Sequence, residues 1–389
     1  MLTLIRGAEV VAPEPLGRRD ILLAGGVIEA VAGPGRLGLT GLDAEVVEAK
    51  GRTLVPGLID PHVHILGGGG EGGPTTRAPE IRIEDIVASG VTTVIGCLGT
   101  DGVTRHMTSL LAKARALELE GVSTFIFAGS YDVPVRTLTG SVRSDLILID
   151  KVIGAGEIAV SDHRSAQPTF EEIARLAAEC RVGGMLGAKA GVLHLHLGDG
   201  RRGLELLFRL IRETEIPVTQ VIPTHITRNR ELFRQGLDWV AAGGTVDVTV
   251  GPDPSPDDPD VSFGELVAAF AERGLPFTRL TASSDGNGSM PVFDAGGQLV
   301  RLTVASQSDL LRTFRESIRQ ARLPLESAVR IFSTNAAEFY KLGRKGRIEP
   351  GRDADLVLLD ADLGLVDVFA RGRRVVANGQ VLVKGTFSA

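Results

Sequence analysis

Two histidines separated by one residue, His62 and His64, close the apolar run Leu54-Val55-Pro56-Gly57-Leu58-Ile59-Asp60-Pro61. On a β-strand, residues i and i+2 share a face, so the two imidazoles can be presented side by side. Paired imidazoles on a strand are natural ligands for zinc or another divalent transition metal. The strand opens at once into Gly67 to Gly70, Glu71, Gly72 and Gly73, a loop that a ligand can approach closely. More polar clusters end later apolar runs: Gly156-Glu157 ahead of Ser161-Asp162-His163-Arg164-Ser165, then His194-Leu195-His196-Leu197-Gly198-Asp199, Pro223-Thr224-His225-Ile226-Thr227-Arg228 and Ser283-Ser284-Asp285-Gly286-Asn287-Gly288-Ser289. Histidines and carboxylates in this number can hold two metals around a shared carboxylate, and water between two cations loses a proton near neutral pH. A carboxylate beside it, for which Asp285 is placed, can carry that proton to a leaving amine. Spacing alone permits either His194 or His196 as the fifth-strand ligand. His196 lies nearer the strand end and is preferred, leaving His194 as an interior histidine.

Such residues converge only if strand ends share a rim. Runs suited to buried strands fall at 57–59, 91–97, 123–128, 151–160, 193–197, 218–223, 245–250 and 279–282, with helix-like segments at 104–120, 169–180, 201–213, 228–242 and 262–273. Eight strands alternating with helices are what a (β/α)8 TIM barrel requires, and its active site lies at the C-terminal strand ends. An open doubly wound sheet would call for an early glycine fingerprint, which is absent. Short β-rich pieces divided by turns fill both chain ends. They predict one small β-sandwich domain built discontinuously from residues 1–54 plus 343–389, with the barrel over 55–342.

The 389 residues suffice for a barrel with a small appended domain. Acidic and basic residues are interspersed at a net charge of −6. No Lys/Arg block offers a phosphate-backbone contact, which disfavours a nucleic-acid partner. Cys97 and Cys180 are far apart and outside any CxxC pair, so they read as buried free thiols in a reducing compartment. Neither a signal peptide nor a transmembrane run is evident, and a cytoplasmic location is expected.

Taken together, the HxH on the first strand and the aspartate on the eighth resemble the amidohydrolase superfamily. Several stretches are similar to its isoaspartyl (β-aspartyl) dipeptidase family: Gly68-Gly69-Gly70-Glu71-Gly72-Gly73-Pro74-Thr75-Thr76-Arg77, Ser161-Asp162-His163-Arg164-Ser165, Thr224-His225 through Asn229, Ser283 through Ser289, and near the C-terminus Gly346-Arg347-Ile348-Glu349-Pro350-Gly351 with Ala354-Asp355-Leu356-Val357. The resemblance implies a metallo-dipeptidase with two divalent ions, zinc being the expectation. His62 and His64 would bind one ion with Asp285, and His196 and His225 the other. Family members commonly bridge the ions with a carboxylated lysine on strand four. Glu157 stands at that place here and can bridge as a carboxylate, with Lys151 and Lys189 as the nearby rivals.

The same resemblance implies that Glu71, helped by backbone at Gly69 and Gly70, receives the α-amino group of a small dipeptide. Arg164 and Arg228 would hold carboxylates in bidentate forks. Ser289 would support that end, Thr100 the aspartyl end, and Tyr131 would donate to the scissile amide oxygen. The implied reaction is attack by a metal-bridging hydroxide on the isopeptide carbonyl, with Asp285 as proton shuttle, in a homo-oligomeric enzyme. The alternatives are a hydantoinase-like, dihydroorotase-like or N-acyl-amino-acid-deacylating relative, or a catalytically silent scaffold. Outside the site, His163 is expected to orient its neighbours, His106 to be exposed and Asp162 to cap a turn. The acidic, proline-rich stretch from Asp253 to Asp260 reads as a solvated loop after strand seven.

Overall fold

The computed structural model describes residues 2–39, 41, 43–254, 260–294 and 296–388, so most of the acidic loop, 255–259, lies outside the described residues. The eight central strands are β1 (Leu58–Val63), β2 (Val91–Gly96), β3 (Ser123–Ala128), β4 (Val152–Val160), β5 (Val192–Leu197), β6 (Val221–Thr224), β7 (Val246–Thr249) and β8 (Leu280–Ser283). Strands β1 to β6 form one parallel sheet in chain order, and β7 pairs with β8 in a second parallel ladder. Strands β1, β2, β4, β5, β6 and β8 are buried at every position. This is why they read in sequence as continuous apolar runs without polar alternation.

The sheet is curled. His64 N donates to Gly286 O at 2.9 Å, so the exit of β8 meets the end of β1. At the other seam, buried Asp247 on β7 accepts from Thr224 Oγ1 on β6 (2.7 Å) and from Thr281 and Ser283 on β8 (2.7 and 2.6 Å). Helices Met107–Glu120, Phe170–Leu186, Glu205–Glu213, Arg230–Ala241 and Phe263–Glu272 fall on the expected segments. Two start at reciprocal caps, Thr169 with Glu172 and Ser262 with Glu265, which satisfy amides left free by the first turn. A hairpin over Ser289–Phe293 and Leu299–Val304 follows the β8 loop. Nothing in the sequence reading foresaw it.

Both chain ends join one nine-stranded sheet, in which Thr53–Pro56 runs antiparallel to Leu356–Leu359. Alternation along these two strands divides two cores. Leu54, Leu356 and Leu358 pack with Ile5, Ile21 and Ile28, whereas Val55, Val357 and Leu359 pack against the central strands. Among the described residues, no helix is long and apolar enough to cross a membrane.

Candidate active site

The strand ends bring four of the expected donors onto Glu157. Its carboxylate lies 3.4 Å from His62 Nε2, 3.3 Å from His64 Nε2, 2.9 Å from His196 Nδ1 and 3.5 Å from His225 Nε2. Asp285 Oδ1 completes the group, 3.0 Å from His64 Nε2 and 3.6 Å from His62 Nε2. All six side chains are buried. Donor atoms separated by about 3.3 Å are what a tetrahedral ion with bonds of about 2.0–2.1 Å requires. His62 Nε2 and Asp285 Oδ1 are also buried without a hydrogen-bond partner, a costly condition that a cation would relieve. The residues therefore fit two divalent ions sharing Glu157. The candidate clusters are His62, His64, Cys97 and Glu157 on one side, and Glu157, His196 and His225 on the other.

The far nitrogens are held too. His62 Nδ1 is 2.8 Å from His194 Nε2, His196 Nε2 is 2.9 Å from Asp162 Oδ2, and His225 Nδ1 meets the Thr249 hydroxyl. Partners of this kind fix the tautomer and ring plane of a metal-binding imidazole. His194 itself stacks on Phe127 at 4.8 Å and reaches the Tyr340 hydroxyl. Burial and the neighbouring His62 depress its pKa, so it stays neutral and can exchange a hydrogen bond with His62. Asp162 does shape its turn, accepting Arg164 N at 2.7 Å, while its other oxygen orients His196. The rival lysines point elsewhere: Lys151 pairs with Glu118 and the Thr124 carbonyl, and Lys189 with the Ile149 carbonyl.

His225 and Asp285 both adopt left-handed backbone, at φ 62° and 54°. Non-glycine residues there carry strain that the surroundings must hold in place, a common signature of functional positions. Around Asp285 the space is closed, since a Cβ on Gly288 would lie 2.4 Å from its Oδ1 and 2.7 Å from His64 Cδ2. Burial alone would raise the Glu157 carboxyl. The charges of His62 and His196 and hydrogen bonds from His196 and His225 hold it well below the usual carboxylate range. Asp285 follows the same pattern, with His64, 3.0 Å away, as the leading counterweight to burial. Burial and nearby Glu157 push the Tyr131 hydroxyl well above its ordinary value, which keeps it a proton donor. That hydroxyl is 2.9 Å from His196 Nδ1, at the cluster's edge.

Beside the cluster sits a charged cage. Glu71 Oε1 accepts from Thr100 Oγ1 (3.0 Å) and Ser289 Oγ (2.8 Å) and lies 3.4 Å from Arg164 Nη1. Its Oε2 is buried with no partner. Thr100 and Ser289, expected at opposite ends of a substrate, thus both hold Glu71 here. Arg164 also forks onto Asp162, and Arg228 Nη1 is 3.0 Å from His196 Nε2. The glycine loop is tied down by buried Arg105, which donates to Gly68 O (2.7 Å) and Gly69 O (3.2 Å). Gly69 needs its missing side chain, because its φ is +81° and a Cβ would stand 2.5 Å from Thr76 O. His163 is exposed and packs edge-on against Phe293 of the hairpin, and His106 is exposed at a helix start.

Sequence reasoning missed three supports. Asp60 accepts from Ser284 N (3.1 Å), Ser284 Oγ (2.5 Å) and the Gln307 amide, fastening β1 to the β8 loop, and burial pushes its carboxyl up to about 6. A carboxylate inside the apolar run before His62 was the available signal. Arg105 and Asp247 gave none, since their partners are remote in sequence. Cys97, read as a plain buried thiol, is buried and unpaired but stands among the ligand atoms.

The sequence profile of the amidohydrolase family matches residues 53–385. The β-aspartyl dipeptidase of Fervidobacterium islandicum AW-1, solved in complex with β-Asp-Leu, is 46% identical and superposes at a TM-score of 0.92 over 99% of this chain and 100% of that one. Dihydropyrimidinase from Brevibacillus agri NCHU1002 shares the fold at a TM-score of 0.70 and 18% identity, covering 100% of both chains. Adenine deaminase of Halalkalibacterium halodurans is 26% identical over 377 residues, which are 94% of this chain and 55% of that protein. The chain thus spans about half the length of the curated relatives it matches. On the matched profile and the 46% identity over full length, the chain belongs to the β-aspartyl dipeptidase family of the amidohydrolases.

Proposed function

We propose that this enzyme is a dipeptidase that hydrolyses the isopeptide bond of β-aspartyl dipeptides, releasing aspartate and the second amino acid. The observation that carries this reading is the half-buried cage of Glu71 and Arg164 beside the His–Glu157–Asp285 cluster. Acid and guanidinium face each other at 3.4 Å. A zwitterion with an additional carboxylate can take over both partners, its ammonium meeting the orphaned Glu71 Oε2 and its carboxylates meeting Arg164 and Arg228. Neutral cyclic amides and purines offer no such exchange. Gly69 and Gly70 supply backbone beside the ammonium, and Thr100 and Ser289 hold Glu71 in place.

His62, His64 and Asp285 would hold one divalent ion, His196 and His225 the second, with Glu157 between them. The imidazole and carboxylate donors suit zinc. Two such ions, when bound, lower the pKa of a shared water and polarise the scissile carbonyl. Tyr131 donates its hydroxyl proton toward that carbonyl oxygen as charge develops there. Asp285, kept ionised by His64, accepts the proton of the attacking water and passes it to the departing amine. We also take the eight strands as one closed (β/α)8 barrel over 55–342, the terminal strands as a β-sandwich of 1–54 plus 343–389, and the enzyme as a cytoplasmic homo-oligomer.

The test is an assay of β-Asp-Leu, α-Asp-Leu, dihydroorotate and adenine on one preparation whose metal content is measured. Turnover of β-Asp-Leu alone is expected. Turnover of only dihydroorotate or only adenine would overturn the dipeptidase reading and favour a cyclic amidohydrolase or a deaminase.

A further inference from the structure

We infer that Cys97 is a further protein donor to the ion held by His62, His64 and Asp285, binding as a thiolate. The inference rests on the reading that the strand ends hold divalent metals. The ladder between β1 and β2 pairs Val63 with Gly96, so Cys97 emerges on the rim level with His64. Its Sγ and the ligand atoms of His62, His64 and Glu157 all lie within 4.8 Å of one another. Cys97 is 1% exposed, and its Sγ lies 3.6 Å from Val63 O. His62 Nε2, one of these ligand atoms, is buried without a partner, and Asp285 Oδ1, likewise without one, lies 3.6 Å from it.

The other cysteine is an internal control. Cys180 is fully buried in its helix, and burial pushes its thiol up to about 12, as expected of a thiol that only packs. Cys97 instead faces two imidazoles and a carboxylate. Glu157 carries its carboxylate only two methylenes from Cα, so an ion it shares must sit low against the strand ends, where Sγ is within reach. Charge favours this as well, because two divalent ions carry more positive charge than Glu157 and Asp285 together offset in a buried site. A sulfur donor among nitrogens and oxygens shifts preference toward zinc and cobalt(II) and away from magnesium and manganese.

Cobalt(II) reads the thiolate directly. The full-length enzyme is stripped with a chelator and reloaded with cobalt, its absorption spectrum is recorded, and bound metal is counted by mass spectrometry. A sulfur-to-cobalt charge-transfer band in the near ultraviolet is expected in the wild type and in Cys180→Ser. Cys97→Ser should lose the band, and its metal content should fall from about two ions per chain toward one. Two bound cobalt ions without the band would overturn the assignment and leave the binuclear reading standing, as would a band that survives in Cys97→Ser. A wild type that binds no cobalt would remove both. Should Cys97→Ser fail to fold, the wild-type spectrum alone decides.

Discussion

The metal-ligand cluster and the charged cage beside it touch, yet they are built differently. The cluster's donors sit at the ends of β1, β4, β5 and β6 and just past β8, and the far nitrogens of three of its four histidines are held by other side chains. The cage is carried by loops: Glu71 on the glycine loop, Thr100 after β2, Arg164 after β4, Arg228 after β6 and Ser289 at the hairpin base. Its members satisfy one another through bonds that a substrate can exchange. A scaffold that must hold two cations in a buried space cannot relax. One that must release product has to keep its contacts replaceable. Loss of a donor should therefore act all-or-none, and loss of a cage contact should act by degrees.

The sharpest break lies within the cluster. Asp285→Asn keeps an oxygen donor but removes the proton carrier, so turnover should fall by about 10²–10⁴-fold while bound metal stays near the wild-type count. Robust turnover in that variant would end the proton-shuttle role. Glu157→Gln should do the reverse of sparing metal. Its amide carries one oxygen where two are needed to bridge, so metal per chain should drop, and unchanged occupancy measured by mass spectrometry would return the bridge to a lysine.

His194→Leu tests whether the strand ends are rigid by themselves or by mutual support. The residue touches His62 without facing the ions, and losing such a partner weakens metal binding by about 10–100-fold. A chelator titration measures this, and wild-type affinity would mean that β1 alone fixes His62.

Much of the cluster was legible in the sequence because its donors obey local rules. His62 and His64 share a face through the two-residue period, and His196, His225 and Asp285 mark the ends of apolar runs. The same logic separated His196 from His194, whereas Glu157, inside its strand, was set above the two lysines by the family resemblance. The supports were less legible, since Asp60 meets Gln307 and Asp247 meets Thr224 and Thr281 across long stretches of chain. No spacing rule links those positions. The hairpin over Ser289–Phe293 and Leu299–Val304 was hidden because its strands bury no residue fully and so carry no long apolar run.

In the cage, Glu71→Gln should keep Thr100 and Ser289 as donors but lose the charge that meets an ammonium. A charge-assisted hydrogen bond contributes about 1.5–3 kcal/mol, so kcat/KM for β-Asp-Leu should fall by about 10–100-fold with metal content unchanged. The loss should sit mainly in KM. A fall confined to kcat would place Glu71 in the chemical step and erase the contrast between the two regions.

The smallest effect belongs to the seam that carries both. Burial holds the Asp247 carboxyl above its ordinary value even though three hydroxyls donate to it. A group whose folded pKa is raised binds its proton more tightly in the folded state. Its stabilising contribution is full below the unfolded value near 3.8, and it is lost as pH rises through the folded value. Asp247→Asn cannot ionise, so the stability of the wild type relative to this variant should decline as pH rises from about 4 to 7. Denaturant unfolding of both proteins across that range measures the difference. Parallel curves would mean that the three hydroxyls already stabilise the charged carboxylate fully, and that β6, β7 and β8 are joined by an anion that costs the fold nothing.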